Sequence, residues 1–150
     1  MGLKETLESD LKEALRHRDE TRKTTLRLAL AAIHNAEIAK RQQLEEDQLV
    51  AVVAKEAKQR REAATQFAKG GRQDLVAQEE QELQILMEYL PSQLSDEEIE
   101  ARAREVIERV GASSPAQIGE VMRVLMPEMK GKADGQVVSA VVKSLLSTAD

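Results

Sequence analysis

Gly70-Gly71-Arg72-Gln73-Asp74-Leu75, then Tyr89-Leu90-Pro91, then Ser95-Asp96-Glu97-Glu98 is the stretch that decides the fold. The glycine pair closes one helical pattern, because glycine reaches the left-handed conformation that a helix C-terminus often needs. Asp74 opens the next helix, and Pro91 forbids its continuation past the following turn. Ser95-x-x-Glu98 is a capping box, in which each side chain satisfies the other residue's exposed backbone N–H. The chain is thereby divided into two helical halves, residues 1–92 and 93–150.

Upstream, Leu3, Leu7, Leu11 and Leu15 recur every four residues beside Ala14, an apolar stripe on a first helix that stops near Arg16-His17-Arg18. Asp19 caps a second helix with the face Leu26, Ala29, Leu30, Ile33 and Ala36, whose alanines let the first helix approach as an antiparallel hairpin. Glu45-Glu46-Asp47 gives a third helix an acidic first turn, and Leu49, Val52, Val53, Ala57, Ala64 and Phe67 form its inner face. The fourth turns Leu75, Val76, Leu83, Leu86, Met87 and Leu90 inward. Downstream, Ile99, Ala103, Val106, Ile107 and Val110 make a fifth helix ending at Gly111. Ser114-Pro115 starts a sixth with proline at its first position, and Pro127 and Gly131 bracket an irregular connection. Asp134 caps a last helix carrying Val138, Val141, Val142 and Leu145. The expected fold is all-α, an N-terminal four-helix antiparallel bundle followed by a small three-helix C-terminal domain.

Composition agrees. With one Phe, one Tyr and no Trp in 150 residues, the core must be built from aliphatic residues and alanine, which suits closely spaced helices better than sheets. The absence of Cys excludes disulfides, thiolate metal sites and cysteine nucleophiles. The N-terminus carries early acids and lacks a signal-peptide pattern, and no apolar run approaches the ~18 residues of a membrane span, so a soluble, cytoplasmic protein is expected. Net charge is −5, unevenly spread. Residues 1–72 hold 15 Lys and Arg against 12 acids, residues 73–108 hold 2 against 11, and residues 109–150 hold 5 against 4. A polyanion is repelled by the middle of the chain and has to meet its ends.

No reactive constellation emerges from residue types. His17 and His34 lie on different helices with no second His-x-x-Glu, and read as solvent-facing. Glu79, Glu80, Glu82 and Glu88 read as the wet side of the fourth helix, and Asp96 to Glu100 as charge at a helix N-terminus. Ser113-Ser114 has no glycine-rich surroundings or lysine partner for hydrolase chemistry, and capping accounts for it. Lys55, Lys58, Arg60, Arg61 and Arg72 form a diffuse basic group read as pairing with Glu56 and Glu62. At Lys130-Gly131-Lys132-Ala133-Asp134-Gly135, with Arg123 upstream, backbone N–H groups of the last helix and two lysines can face a phosphate, with Asp134 opposing. A plain connector and an RNA contact both stay open there.

Several segments taken in order resemble the YqeY family: Lys55-Glu56-Ala57-Lys58-Gln59-Arg60-Arg61, Gly71-Arg72-Gln73-Asp74-Leu75, Glu79 to Glu82, Tyr89-Leu90-Pro91-Ser92-Gln93-Leu94, Ile118-Gly119-Glu120-Val121-Met122 and Lys130-Gly131-Lys132-Ala133-Asp134-Gly135. The resemblance runs from Leu3 to Leu146. That family is similar to the tail domain of GatB, the tRNA-binding subunit of the glutamine-dependent tRNA amidotransferase. The resemblance implies a helical bundle, a three-helix C-terminal piece and RNA recognition without catalysis. A carbon-nitrogen ligase label with glutamine as amido-N-donor belongs, on this view, to the larger enzyme. Two departures stand out: Asp134-Gly135 where such tails tend to carry Asn-Pro, and Glu45 where a Ser or Thr cap is usual.

The expected function is therefore a non-catalytic, GatB-tail-like accessory that meets tRNA phosphates through Arg123, Lys130, Lys132 and Lys143. No metal, cofactor or membrane is expected. The alternative is a protein-interaction adaptor without nucleic-acid binding, docking through the acidic middle or the C-terminal domain.

Overall fold

The computed structural model describes residues 2–148, and its regular structure is helical. In chain order the helices are α1 (Leu3–Arg16), α2 (Glu20–Lys40), α3 (Glu46–Lys69), α4 (Gln73–Met87), α5 (Asp96–Val110), α6 (Ile118–Met129) and α7 (Gly135–Thr148), with a 3-10 turn at Pro115–Gln117 before α6. They form two compact units, one ending at Leu90 and the other beginning at Pro91.

The start and stop residues act as their chemistry requires. The Asp19 carboxylate accepts the Arg22 N–H at 3.1 Å at the head of α2. At the head of α5, Ser95 Oγ accepts the Glu98 N–H at 3.2 Å while Glu98 Oε1 accepts the Ser95 N–H at 3.4 Å. Gly111 closes α5 at φ 72°, a left-handed conformation that costs a residue with a Cβ roughly 1 kcal/mol or more. At the Glu45 departure, the Glu45 N–H donates to Gln48 Oε1 at 2.8 Å, so a glutamine on the next turn satisfies the chain entry.

In the N-terminal unit α2 and α3 are central. Each packs against the other and against both α1 and α4, which have no mutual backbone contact. The core holds Leu7, Leu26, Ala29, Ile33, Leu49, Val53, Ala57 and Leu86. Ala29 and Ala57 are fully buried, where a larger side chain would push the helices apart. The end of α4 is clamped to the α1–α2 hairpin by two polar links. Arg22 forks onto Glu88 at 2.7 and 3.2 Å, and the Tyr89 hydroxyl donates to Asp10 Oδ2 at 2.6 Å.

In the C-terminal unit α5, α6 and α7 each pack on the other two. Ile99, Ala103, Val106, Val121, Leu125, Met129, Val138, Val142 and Leu146 form its core. Each large aliphatic side chain buried here contributes about 1.5–3 kcal/mol.

Four boundaries differ from expectation, and the first is the end of α4, which stops at Met87 and leaves Leu90 outside the helix. Pro127 lies inside α6, not in an irregular connection. Leu125 and Met129, fully buried on either side of it, hold the last turn in place despite the lost backbone hydrogen bond, and the ring itself faces solvent. Helix α4 starts at Gln73, one residue before Asp74, whose carboxylate instead receives the fork of Arg72 at 3.2 and 3.1 Å. Pro115 begins a single 3-10 turn, and α6 proper starts at Ile118.

Candidate functional site

The loop from Lys130 to Asp134 is built by its backbone. Met129 anchors one end in the core, and its carbonyl accepts the Lys132 and Ala133 N–H groups at 2.8 and 3.1 Å. Gly131 takes φ 78°. The Gly131 carbonyl accepts from Gln93 Nε2 at 2.8 Å, and the Lys132 carbonyl accepts the Leu94 N–H at 2.9 Å. The segment before α5 thus occupies the carbonyls of the loop. Lys130 is exposed and Lys132 half-buried.

Of the four cations read from the sequence, this loop brings Lys130 and Lys132 together. Arg123 and Lys143 are exposed on α6 and α7, the two helices that the loop joins. At 1.5 Å per residue Arg123 lies about 10 Å before Lys130 along α6, and Lys143 about 12 Å beyond the start of α7. Among the described residues none of the four side chains forms an ion pair, whereas Arg104 and Arg109 are bridged to Glu100 and Glu128. The N-terminus of α7 is partly taken. Asp134 Oδ1 accepts the Gln136 N–H at 2.8 Å, so this carboxylate sits where a phosphate would approach the helix end. Contact with an anion at this loop falls to the lysine side chains.

The other sequence candidates resolve individually. His17 and His34 are exposed, and His17 Nε2 lies 3.4 Å from Glu13 Oε2 on its own helix. Gln117 Oε1 accepts the Ser113 and Ser114 N–H groups at 2.7 and 3.2 Å, which makes this serine pair a chain-entry device. Among the described residues no three His, Cys, Asp or Glu converge in a way that would hold a metal ion.

The acids of α4 do not all face water. Glu82 is buried, and Glu79 keeps only 13% side-chain exposure. Arg60 of α3 is drawn to both, its Nη1 lying 3.5 Å from Glu79 Oε2 and 3.5 Å from Glu82 Oε2. The contact with Glu82 has hydrogen-bond geometry. That with Glu79 does not, and both Glu79 Oε2 and Arg60 Nε are buried without a hydrogen-bond partner. Burial pushes the Glu79 carboxyl above the ordinary range, with Arg60 opposing and Glu82 adding to the rise. The basic group of α3 is therefore not a surface ladder to Glu56 and Glu62 at Arg60. Arg61 also reaches α4, with Nη2 at 3.7 Å from Met87 Sδ. The clue lay in the stripes: Arg60 stands in line with Val53, Ala57 and Ala64, and Glu79 and Glu82 stand in line with Leu75 and Leu86.

Comparison with known proteins follows the same outline. The family described as Yqey-like protein matches residues 4–146. A Kluyveromyces lactis protein named Altered inheritance of mitochondria protein 41, mitochondrial, is 34% identical over 142 residues, covering 92% of this chain and 72% of its own length. Its namesake in Eremothecium gossypii is 42% identical over 100 residues, 65% of this chain and 55% of that protein. That of Saccharomyces cerevisiae strain YJM789 is 32% identical over 122 residues, 77% and 66% of the two chains. This chain thus spans between about half and three quarters of these relatives.

Proposed function

The chain belongs to the Yqey-like protein family, and from that premise we propose that it is a non-catalytic accessory that binds RNA, with tRNA as its ligand. The observation that carries this reading is a group of cations on and beside one loop of the C-terminal unit, Arg123, Lys130, Lys132 and Lys143, none of which forms an ion pair among the described residues. Unneutralised cations release counterions from phosphate on contact, whereas cations already bridged to acids gain much less. The likeness of the family to the GatB tail supports tRNA as the RNA and supports recognition without a transamidation centre. We place the protein in the cytoplasm on the character of its sequence, while the relatives named above are mitochondrial by name. No helix of the described residues is long and apolar enough to cross a membrane.

The test is tRNA binding by the purified chain over a salt series, beside a Lys130→Glu/Lys132→Glu variant. Four phosphate contacts predict a loss of roughly 50- to 150-fold in affinity between 50 and 200 mM salt, and a slope shallower by about half in the variant. Absence of tRNA binding at 50 mM salt, or binding indifferent to both salt and variant, refutes the proposal. A protein adaptor docking through the acidic stretch 73–108 is then the reading to pursue.

A further inference from the structure

We propose that Arg60, Glu79 and Glu82 form a proton-linked latch between α3 and α4, closed while Glu79 holds its proton and loosened when rising pH takes that proton into solvent. One guanidinium stands between two carboxylates, 3.5 Å from each. With both ionised, one guanidinium faces two negative charges, and the trio carries a net charge of minus one. The side chains of Glu79 and Glu82 are 13% and 7% exposed, so water screens that charge poorly.

Among the described residues, the cavity that Arg60 and Glu82 line receives no second cation. From α3, Glu56 lines the same small cavity as Arg60 and Glu82, a further acid. From α2 the cavity receives Thr25, Leu28 and Ala29, none of them charged. The Thr25 hydroxyl donates within its own helix, to the Thr21 carbonyl at 2.8 Å, and so offers no proton to the acids. Arg22, also on α2, is held by Glu88. The cavity measures about 10 Å³, at the lower limit for one water molecule. Glu79 Oε2 is buried without a hydrogen-bond partner, so its ionised form lacks a donor that would offset desolvation.

The linkage has a definite sign. Burial raises the Glu79 carboxyl above its ordinary value in the folded chain. Its contribution is complete below the ordinary carboxylate range and is lost as pH rises through the raised value. Glu37 and Glu88 behave oppositely: Lys4 and Arg22 hold their carboxyls low, and the stability they confer is lost as pH falls. A Glu79→Gln variant, which mimics the protonated acid, separates the two effects.

The experiment uses the full chain, reading amide exchange in α4 from pH 5 to 8 after correction for intrinsic rates, with α5 to α7 as reference, beside a carbon-13 titration of the Glu79 carboxyl. The wild type is expected to lose α4 protection several-fold relative to α5–α7 as pH rises, and Glu79→Gln to show no such loss. The carboxyl is expected to titrate above the ordinary range. An ordinary Glu79 titration, or a pH-dependent loss of protection that persists in Glu79→Gln, overturns the latch. Should the variant fail to fold, the wild-type carboxyl titration decides alone.

Discussion

Leu125→Ala is the most informative single change. Leu125 is fully buried among the residues that join α5, α6 and α7, one turn before Met129 and hence before the basic loop. Removing its three outer carbons costs about 3 kcal/mol, the transfer term plus the cavity left behind. The C-terminal unit has about 60 residues, and at ordinary stability per residue that corresponds to roughly 3–9 kcal/mol in total. The loss is thus a large fraction of what the unit has. For a domain of this size it lowers the unfolding temperature by roughly 12–24 °C. Calorimetry of the full chain should show the transition of the C-terminal unit moving by that amount, while the transition of the N-terminal unit stays in place. RNA binding, assayed between the two midpoints of the variant, should vanish together with the C-terminal structure. A shift below about 4 °C, or equal movement of both transitions, would refute the assignment of Leu125 to a core that belongs to the C-terminal unit alone.

Two further substitutions probe the joints of the fold. Tyr89→Phe removes the 2.6 Å hydrogen bond to Asp10 and leaves the carboxylate without its phenol donor. A loss of about 1.5–2 kcal/mol is expected in denaturant unfolding of the N-terminal unit, since the acceptor is a charged group. An unchanged midpoint would show that the Arg22–Glu88 fork alone holds the end of α4. Ser95→Ala breaks the capping box of α5 and should cost about 1 kcal/mol, seen as faster amide exchange confined to the first turn of that helix. Exchange that rises evenly along α5 would place the effect elsewhere.

The helices and most of their ends follow from local chemistry. A carboxylate at residue 19, the Ser95–Glu98 pair, the glycines at 70, 71 and 111 and the four-residue spacing of Leu3, Leu7 and Leu11 act over one or two turns, so the sequence carries them in full. The loop cations were legible for the same reason, because Lys130, Gly131 and Lys132 adjoin a helix cap. Pro127 reads in the sequence as a helix end but lies inside α6, because its effect depends on how firmly Leu125 and Met129 are held by other helices.

A one-helix view held a clue to the inward acids of α4, their place in the stripe of Leu75 and Leu86, but not their partner. Glu79 and Glu82 look like solvent-facing residues until a cation from another helix is known to meet them, and Arg60 lies 19 positions before the first of the two. By itself the sequence determined the seven helices of the described residues, most of their ends and the basic loop, because hydrogen bonding and apolar periodicity operate within a few residues. Tertiary structure alone decided that α2 and α3 are central, that Asp134 occupies part of the α7 terminus, and that one arginine faces two carboxylates in a nearly dry space. Burial is a property of all the neighbours together, and it is burial that turns three ordinary surface charges into a coupled group.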